Sequence, residues 1–338
     1  MHRAEVAHAI LHVFKLLNKQ VNVKGVIINN VRGWQQAEWV KRAVKSATKK
    51  PVLGVIPYNA EIILPARRGG LIPIPEKETL KTTLSELVEY VGKHIEIDKI
   101  LDIAKQAEEL PDIENQVYPS KQRQKKVRIG IAFDEAFSCH NQDNIDLLEA
   151  YGAETIFFSP IHDKELPPNL DGLYFPGGFP DRVAEHLAAN QTMIQNIRNS
   201  AYDGMPIYSE HGGSMYLTKS ITNFKGSTFS MVGVLSAKAE MDWKLQALDS
   251  TRMETINDNL LTQKGTVIHG NDFRFSRIID IPKDARFAYK MRTGKGIDGE
   301  HEGLMENNTL AVVGLIYFAF NTKIAEKFVK HSEDYSHK

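Results

Sequence analysis

Short apolar runs alternate along this sequence with longer segments of helical spacing. "VKGVIINNV" (Val23–Val31) and "PVLGVIP" (Pro51–Pro57) are apolar runs bounded by polar residues or proline, which is typical of buried parallel strands. Between them, "WQQAEWVKRAVKSATKK" has apolar residues at helical spacing, and further helices are predicted near Glu76–His94 and Asp98–Glu109. This β-α-β rhythm predicts a parallel sheet with covering helices.

The same rhythm restarts after a segment without periodicity. Residues 111–126 carry two prolines and a cluster of charges, so they are predicted to link a domain of residues 1–110 to one of residues 127–338. The second domain has four predicted strands, "VRIGIAF", "ETIFFSP", "DGLYFPGG" and "MPIYSE". Helices are predicted between them at Asn144–Gly152 and Asp181–Ser200. Both domains are therefore expected to be α/β.

Composition excludes several classes of function. The 338 residues include 42 Lys plus Arg and 42 Asp plus Glu, so no overall basic field indicates a nucleic-acid partner. The basic stretch "KQRQKK" is interpreted as a solvated linker. A single cysteine, Cys139, excludes an internal disulfide framework and a cysteine-rich zinc site. The start lacks the features of a signal peptide, and no apolar run approaches the roughly 20 residues that span a bilayer, so a cytoplasmic protein without a membrane partner is predicted.

Polar or glycine-rich loops follow the predicted strands of the second domain. They read "FDEAF", "SPIHD", "PGGFPD" and "SEHGGS". Because chemistry in open α/β sheets sits at the carboxyl ends of the strands, these loops are expected to converge on one crevice. The crevice would contain His211.

"YSEHGGSMYL" (Tyr208–Leu217) has the form of a strand-turn-helix elbow that mounts a nucleophile. The paired glycines Gly212 and Gly213 allow the tight turn, and Gly177 and Gly178 in a neighbouring loop could add backbone donors to an oxyanion hole. The apex is His211, whose imidazole can act as a nucleophile, act as a base, or fill a pocket without reacting. His140, His162 and His269 also fall at predicted strand or loop ends, but without the spacing of a metal motif, so no metal site is predicted.

Several of these motifs resemble the cobyrinate a,c-diamide synthase family. The resemblance runs through "VNVKGVIINNV", "LPARRGGLIP", "GIAFDEAFSCHNQDNIDLLEAYG", "YFPGGFPDRVAEH" and "PIYSEHGGSMYL", and continues in "GNDFRFS" and "NNTLAVVGLIYFAFN". Members are ATP-dependent, glutamine-hydrolysing amide ligases of tetrapyrrole biosynthesis. The resemblance implies an α/β fold, with part of a P-loop-type parallel sheet followed by a class I glutaminase-like (flavodoxin-like) α/β domain.

The sequence departs from the family pattern at the glutaminase residues. Where the family has E-C-G-G-L-M-Y-L, this chain has His211 in place of the cysteine. In the stretch resembling A-S-Y-V-H-L-H-F, Leu315 stands at the catalytic histidine and Tyr317 at the second histidine. Both members of the thiolate–imidazole pair are replaced, so glutamine hydrolysis by the family mechanism is not expected.

The phosphate-binding loop of the family, G-x-x-x-x-G-K-[ST], has no match in this sequence. Asn29 matches the family's asparagine near the nucleotide base. ATP and magnesium are therefore expected only together with a separate synthetase subunit that supplies the P-loop. An exposed sheet edge is expected to associate either with such a partner or with a second copy of this chain.

Other family positions predict contacts with substrate. Asp134, Phe137 and Asn144 match the family, and in "GNDFRFS" an acidic residue survives as Asp272 while both histidines are replaced. Arg274 in the same motif suits a carboxylate of a tetrapyrrole, and the alternative is a surface arginine on an ordinary strand.

Three hypotheses follow from these matches and departures. The first is a member of the family without glutaminase activity, acting as a subunit or with free ammonia in cobalamin-type tetrapyrrole biosynthesis. The second is a non-catalytic protein that binds a tetrapyrrole or another anion. The third is a hydrolase built on His211 and Glu210, which lacks a visible nucleophile or metal.

Overall fold

A computed structural model describes residues 22–62, 77–109, 117–120 and 123–337. The chain divides into two compact units, Met1–Ile113 and Glu114–Lys338. The motif "LPARRGGLIP" and half of the predicted linker lie outside the described residues.

The first unit contains the predicted β-α-β arrangement. Strands β1 (Val26–Val31) and β2 (Val52–Pro57) are parallel, with Val26 opposite Val52, and helix α1 (Trp34–Thr48) connects them. The helix buries Val40 and Val44. Helices α2 and α3 follow, at Lys77–His94 and Ile97–Lys105. The parallel pairing predicted from the two apolar runs is confirmed.

The second unit is built on a parallel sheet whose strands are the apolar runs of the sequence. In the described part of the chain, the parallel neighbours follow the order β15-β6-β5-β3-β4. These strands are β3 (Val127–Ala132), β4 (Ala153–Phe158), β5 (Gly172–Phe175), β6 (Ile207–Glu210) and β15 (Thr309–Val312). All residues of β5 and β6 are buried, as expected for strands covered on both faces. The four predicted strands are confirmed.

Antiparallel strands extend this sheet beyond β15. The order continues through β14, β13, β10 and β11 to β16 at the edge. A smaller sheet has the order β12-β9-β7-β8. The strands are β7 (Ser220–Thr222), β8 (Thr228–Ser230), β9 (Lys238–Met241), β10 (Ala247–Thr255), β11 (Val267–Arg274), β12 (Ser276–Ile279), β13 (Arg286–Thr293), β14 (His301–Glu306) and β16 (Leu315–Ile316).

Helices cover both faces of the parallel strands. They are α4 (Gln142–Ala150), α5 (Ala184–Ala189), α6 (Gln191–Tyr202), α7 (Gly212–Leu217) and α8 (Lys323–Ser336), with short 3-10 turns at Pro180–Arg182 and Phe318–Phe320. Two clusters of buried apolar side chains fill the interior, and Tyr174 stacks on Tyr208 at 5.2 Å between ring centroids. Among the described helices, none combines the length and apolar character required to cross a bilayer.

The single helix predicted over Asp181–Ser200 is wrong. The segment forms a 3-10 turn and two helices, α5 and α6, that meet at Asn190. The Asn190 side chain accepts a hydrogen bond from Met193 N (3.3 Å), while its Nδ2 donates to the carbonyls of Pro160 and Asp163. Because Asn190 caps the N-terminus of a second helix, the chain forms two helices even though its apolar residues keep helical spacing throughout.

Asn144 joins the start of α4 to the edge of the main sheet. Its Nδ2 donates to Ile316 O (2.8 Å), and its Oδ1 accepts from Phe318 N (2.9 Å). The side chain is 1% exposed. Asn144 therefore satisfies two buried backbone groups on either side of Tyr317.

We expect Asn144→Ala to destabilise the second unit by about 2–4 kcal/mol, because it leaves a buried carbonyl and a buried amide without partners. Urea unfolding followed by circular dichroism measures this loss. Asn199→Ala is the matched control: Asn199 is exposed, and its change is expected to stay within about 0.5 kcal/mol. Equal effects of the two substitutions would contradict the assigned role of Asn144.

Candidate functional site

The elbow predicted at "YSEHGGSMYL" is formed by the end of β6 and the start of α7. His211 lies between them with φ 45° and ψ −110°, outside the regions that side-chain-bearing residues ordinarily occupy. Its N–H donates to Val312 O of the neighbouring strand (2.9 Å). Backbone strain of this kind costs about 1–3 kcal/mol and persists only where the surroundings impose it.

Close backbone contacts impose the elbow geometry. A side chain at Gly178 would collide with the carbonyl oxygen of Ala136, and one at Gly213 with that of Phe175. A Cβ at Gly212 would lie 2.5 Å from Gly178 O, and one at Gly177 would lie 2.9 Å from Cys139 O. The four predicted turn glycines are therefore brought together, in two loops that touch through their backbones.

The glycine N–H groups are not all available for an oxyanion. Gly213 N donates to Pro176 O (3.1 Å) and is thus occupied. Gly212 is the first residue of α7, and the N–H groups of a first helical turn have no acceptor within the helix. Gly212 is accordingly the better placed of the two as a donor. The oxyanion role of the four glycines stays a prediction.

The imidazole of His211 is held by backbone carbonyls. Its Nε2 lies 3.2 Å from Phe273 O, and its ring meets that of Phe179 edge-on at 6.4 Å. Burial lowers the pKa of His211 below its ordinary value, and nearby Arg274 adds to this, while the carbonyls of Phe273 and Gly178 oppose it. An imidazole with a lowered pKa and a hydrogen-bonded Nε2 is suited to filling a pocket rather than to reacting.

Glu210 points away from the imidazole of His211. Its Oε1 accepts from Tyr208 OH (2.5 Å) and Ile316 N (2.8 Å), and its Oε2 accepts from Tyr174 OH (2.7 Å). Burial raises the pKa of this carboxyl, and the three donors oppose the shift. The hydrolase hypothesis needs His211 and Glu210 to act together, and this geometry separates them.

Leu315 occupies the position that faces the elbow loops. It lies on edge strand β16 opposite Asn271, and its Cδ2 is 3.1 Å from the point where a Cβ of Gly177 would lie. The Cβ of Cys139 is 3.4 Å from the same point. Leu315, Gly177 and Cys139 are thus neighbours, although Cys139 belongs to another loop. Tyr317 lies one residue beyond the strand, with its ring 6.3 Å from that of Phe320.

The predicted convergence of the four loops is confirmed by the hydrogen bonds between them. Asp134 accepts from Ala136 N (2.8 Å) in its own loop, and from Ser159 Oγ (2.9 Å) and Ile161 N (3.0 Å) in the next. Phe137 is fully buried against Phe175. Asp134 and Phe137, like Asn144, are engaged in holding the crevice together, and their contact with a substrate stays a prediction.

Arg274 is buried rather than on the surface, so the interpretation as a surface arginine is wrong. It is 5% exposed, donates from Nε to Asp272 (3.1 Å), and donates from its terminal nitrogen to Gly296 O. The two residues lie two apart on β11 and therefore on one face of the strand. Binding of a tetrapyrrole carboxylate by Arg274 stays a prediction, and it would have to compete with this ion pair.

A second buried carboxylate interacts electrostatically with Arg274. Glu302, on β14, accepts from Gly303 N (2.8 Å) and Val313 N (3.0 Å). Burial raises the pKa of Asp272 to about 6 and that of Glu302 to about 7, and Arg274 opposes both shifts. We refer to Asp272, Arg274 and Glu302 as the buried charge cluster. Sequence spacing alone could suggest the first two members, but Glu302 is brought in by the fold.

The other histidines that the sequence singled out have separate partners. His162 pairs with Glu135 at 2.9 Å, the ring of His269 lies tilted 5.4 Å from that of Phe320, and His140 meets Phe133 edge-on. Asn29 lies in the other unit, exposed on β1 opposite Ile56. The structure therefore does not unite these histidines, and the nucleotide role of Asn29 stays a prediction.

Family models match both parts of the chain. Residues 128–317 match the CobB/CobQ-like glutamine amidotransferase domain, and residues 1–72 match the CobQ/CobB/MinD/ParA nucleotide binding domain. The chain is 36% identical over 338 residues to a cobyrinate a,c-diamide synthase of Dehalococcoides mccartyi (strain CBDB1), covering 99% of this chain and 73% of the relative. It is also 36% identical to that of Archaeoglobus fulgidus, covering 96% of this chain and 69% of the relative.

Solved structures resemble the chain more distantly. PurLQS from Thermotoga maritima is 16% identical with a TM-score of 0.45, over 62% of this chain and 99% of that one. A glutamine amidotransferase from the same organism has a TM-score of 0.40 at 13% identity, over 57% of this chain and 76% of that one.

The buried charge cluster gives a pH-dependent prediction. Folding raises the pKa of Glu302, so its ionised form costs stability at high pH, and this cost disappears as pH falls below the unfolded pKa of about 4.3. We expect Glu302→Gln to stabilise the protein relative to wild type more at pH 8 than at pH 5. Urea unfolding at both pH values measures the two differences.

Glu300→Gln is the matched control, because Glu300 is an exposed carboxylate two residues away. Its difference from wild type is expected to be the same at both pH values. A Glu302→Gln difference that is also independent of pH would contradict the assigned cost. The transition belongs to the whole cluster, since Asp272 and Glu302 titrate together.

Proposed function

The chain belongs to the cobyrinate a,c-diamide synthase family, and from this premise we propose that it works in cobalamin-type tetrapyrrole amidation without hydrolysing glutamine. It acts either as a subunit of a synthetase or with free ammonia as the nitrogen source. The observation that carries this proposal is the pair of residues in the elbow region: His211 at the elbow apex and Leu315 against Gly177 of the neighbouring loop.

Glutamine hydrolysis by the family route needs a sulfur nucleophile and a base. The thiolate attacks the amide carbon, ammonia leaves, and water then releases glutamate from the thioester. The imidazole of His211 has Nε2 occupied by Phe273 O, and the side chain of Leu315 has no group that accepts a proton. The elbow therefore lacks both reactants, and the oxyanion role of its glycine N–H groups stays a prediction.

Free ammonia can replace glutamine because the ligase step uses ammonia itself. In this step a substrate carboxylate is activated by ATP, and ammonia displaces the activating group to give an amide. ATP and magnesium would be bound with a partner that supplies a P-loop, and Asn29 would then contribute at the base.

Exposed apolar side chains in the first unit support association with such a partner. Val88 and Leu101 are 71% and 51% exposed, on α2 and α3, and Ile97 at the start of α3 is 48% exposed. Among the described residues, β2 pairs with β1 and also forms a bridge from Gly54 to Ile95, whereas β1 has no second strand partner, so its outer edge is unpaired. A separate P-loop synthetase subunit or a second copy of this chain would cover these groups.

We expect the wild-type protein to release no glutamate from glutamine. The double substitution His211→Cys with Leu315→His restores a thiol and an imidazole at positions that the intact scaffold holds, so slow but measurable glutamate release is expected. A coupled glutamate dehydrogenase assay detects it. The singly substituted proteins are the controls, and each is expected to stay inactive because the pair acts as a unit.

Glutaminase activity in the wild type that survives His211→Ala and Leu315→Ala would contradict the proposal, because the hydrolysis would then use other residues. Activity in the wild type that His211→Ala abolishes would instead favour the hydrolase hypothesis.

The ligase step has its own prediction. Protein purified gently from its own cells is expected to have a native mass above that of one chain, with a P-loop polypeptide or a second copy bound. With cobyrinate, ATP and magnesium, material that contains the P-loop polypeptide is expected to form amides with ammonium chloride and not with glutamine. A second copy alone would supply no P-loop and would favour a non-catalytic binding role. Mass spectrometry of the corrinoid measures amidation. A monomer without amidation under either nitrogen source would contradict a role as a ligase subunit.

A further inference from the structure

A basic cavity lies at the end of the main sheet opposite to the elbow. Its volume is about 410 Å³, within the range of small-molecule sites. Arg123 and Lys126 line it just before β3 begins, whereas the elbow follows the end of β6. Because β3, β5 and β6 run parallel, the cavity and the elbow lie at opposite ends of the strands. The cavity is therefore separate from the degenerate glutaminase site.

Segments that are far apart in sequence build the walls. Tyr151 comes from the end of α4, Leu261 and Thr262 from the loop between β10 and β11, and Val329 from the middle of α8. Leu261 and Val329 are buried and give the cavity an apolar floor. An apolar floor keeps water from one side, and this strengthens the field of the charges at the rim.

The charges that line the cavity are unbalanced. Two acidic side chains, Glu326 and Glu333, face five basic ones, a surplus of three positive charges in a chain whose formal net charge is zero. The basic residues are Arg123, Lys126, Lys323, Lys327 and Lys330.

The acidic residues cannot neutralise all the basic ones. Glu333 is shared by Lys126 and Lys330, each at 3.2 Å, and Glu326 pairs with Arg123 at 2.5 Å. Lys330 also pairs at 2.9 Å with Asp334, which does not line the cavity. In the part of the chain that the structure describes, Lys323 and Lys327 have no carboxylate within ion-pair distance, and Lys327 donates to Thr262 O instead.

Two further features favour the binding of a ligand in this cavity. The guanidinium of Arg123 lies over the ring of Tyr151 at 5.0 Å, and the Tyr151 hydroxyl donates to Thr322 Oγ1 (3.0 Å), so one wall is held in place. Burial lowers the pKa of Lys327, and an anion in the cavity would oppose this shift. From the cavity, its floor and its charge surplus we propose that this site binds a small, multiply charged oxyanion.

Organic phosphates and polycarboxylates share this chemistry, and the two are distinguished by experiment. Isothermal titration of the full chain with inorganic tripolyphosphate and, separately, with citrate is expected to give saturable binding that weakens as salt increases. Tighter binding of tripolyphosphate would identify the ligand class as phosphates. Tighter binding of citrate would identify it as polycarboxylates.

The substitutions Lys323→Gln and Lys330→Gln together are expected to weaken binding at least about tenfold, because two charge-assisted contacts are lost. Lys225→Gln with Lys283→Gln removes the same charge from exposed lysines outside the cavity, and less than a twofold change is expected. Equal weakening by both pairs would mean nonspecific attraction and would overturn the proposal. Absence of saturable binding in the wild type would overturn it as well. Neither result depends on amidation or glutamine hydrolysis.

Discussion

The carboxylate of Glu210 is the contact on which the geometry of the elbow depends. It ends the central strand β6, directly before His211, and it accepts hydrogen bonds from two tyrosines and from Ile316 N on edge strand β16. The carboxyl is buried, and leaving a buried polar group without its hydrogen-bond partner costs about 1–3 kcal/mol. Glu210 directly precedes position 211, and its partner Ile316 directly follows position 315. The contact therefore fixes the backbone at positions 211 and 315 relative to each other, whatever side chains they carry.

Asn144 also helps to hold edge strand β16 in place. It binds the backbone on both sides of Tyr317, so β16 is held between α4 and Glu210.

The strained backbone at His211 is explained by its neighbours: the glycine loops leave no room for side chains and so fix the turn. Histidine is also among the non-glycine residues that are enriched at positive φ. A replacement for cysteine at this apex thus had to tolerate a conformation that the scaffold imposes.

Sequence patterns predicted the parallel strands because their signals are local. Apolar runs such as "VRIGIAF" and "MPIYSE" need no knowledge of their neighbours. The contacts of Glu210 were not predictable in this way, since its donors Tyr174 and Ile316 are 36 and 106 residues distant. Arg274 shows the same limit: its spacing from Asp272 is visible in "GNDFRFS", but its burial beside Glu302 depends on strands β11 and β14, which lie in the antiparallel extension. The family resemblance identified the elbow in the sequence. Only the structure showed which of its residues already form hydrogen bonds within the protein.

The replacements at positions 211 and 315 are physically coupled. A thiol is activated when a neighbouring imidazolium lowers its pKa, and in apolar surroundings without that partner its pKa is raised and it is inert. An imidazole at position 315 without a thiolate would likewise place a polar ring in a half-buried site beside Gly177. Leucine avoids this cost, because its side chain packs against Gly177 and leaves no hydrogen-bonding group without a partner. Without a thiol at position 211, stability favours an apolar or self-satisfied residue at position 315, so the proposed absence of both reactants rests on one physical constraint.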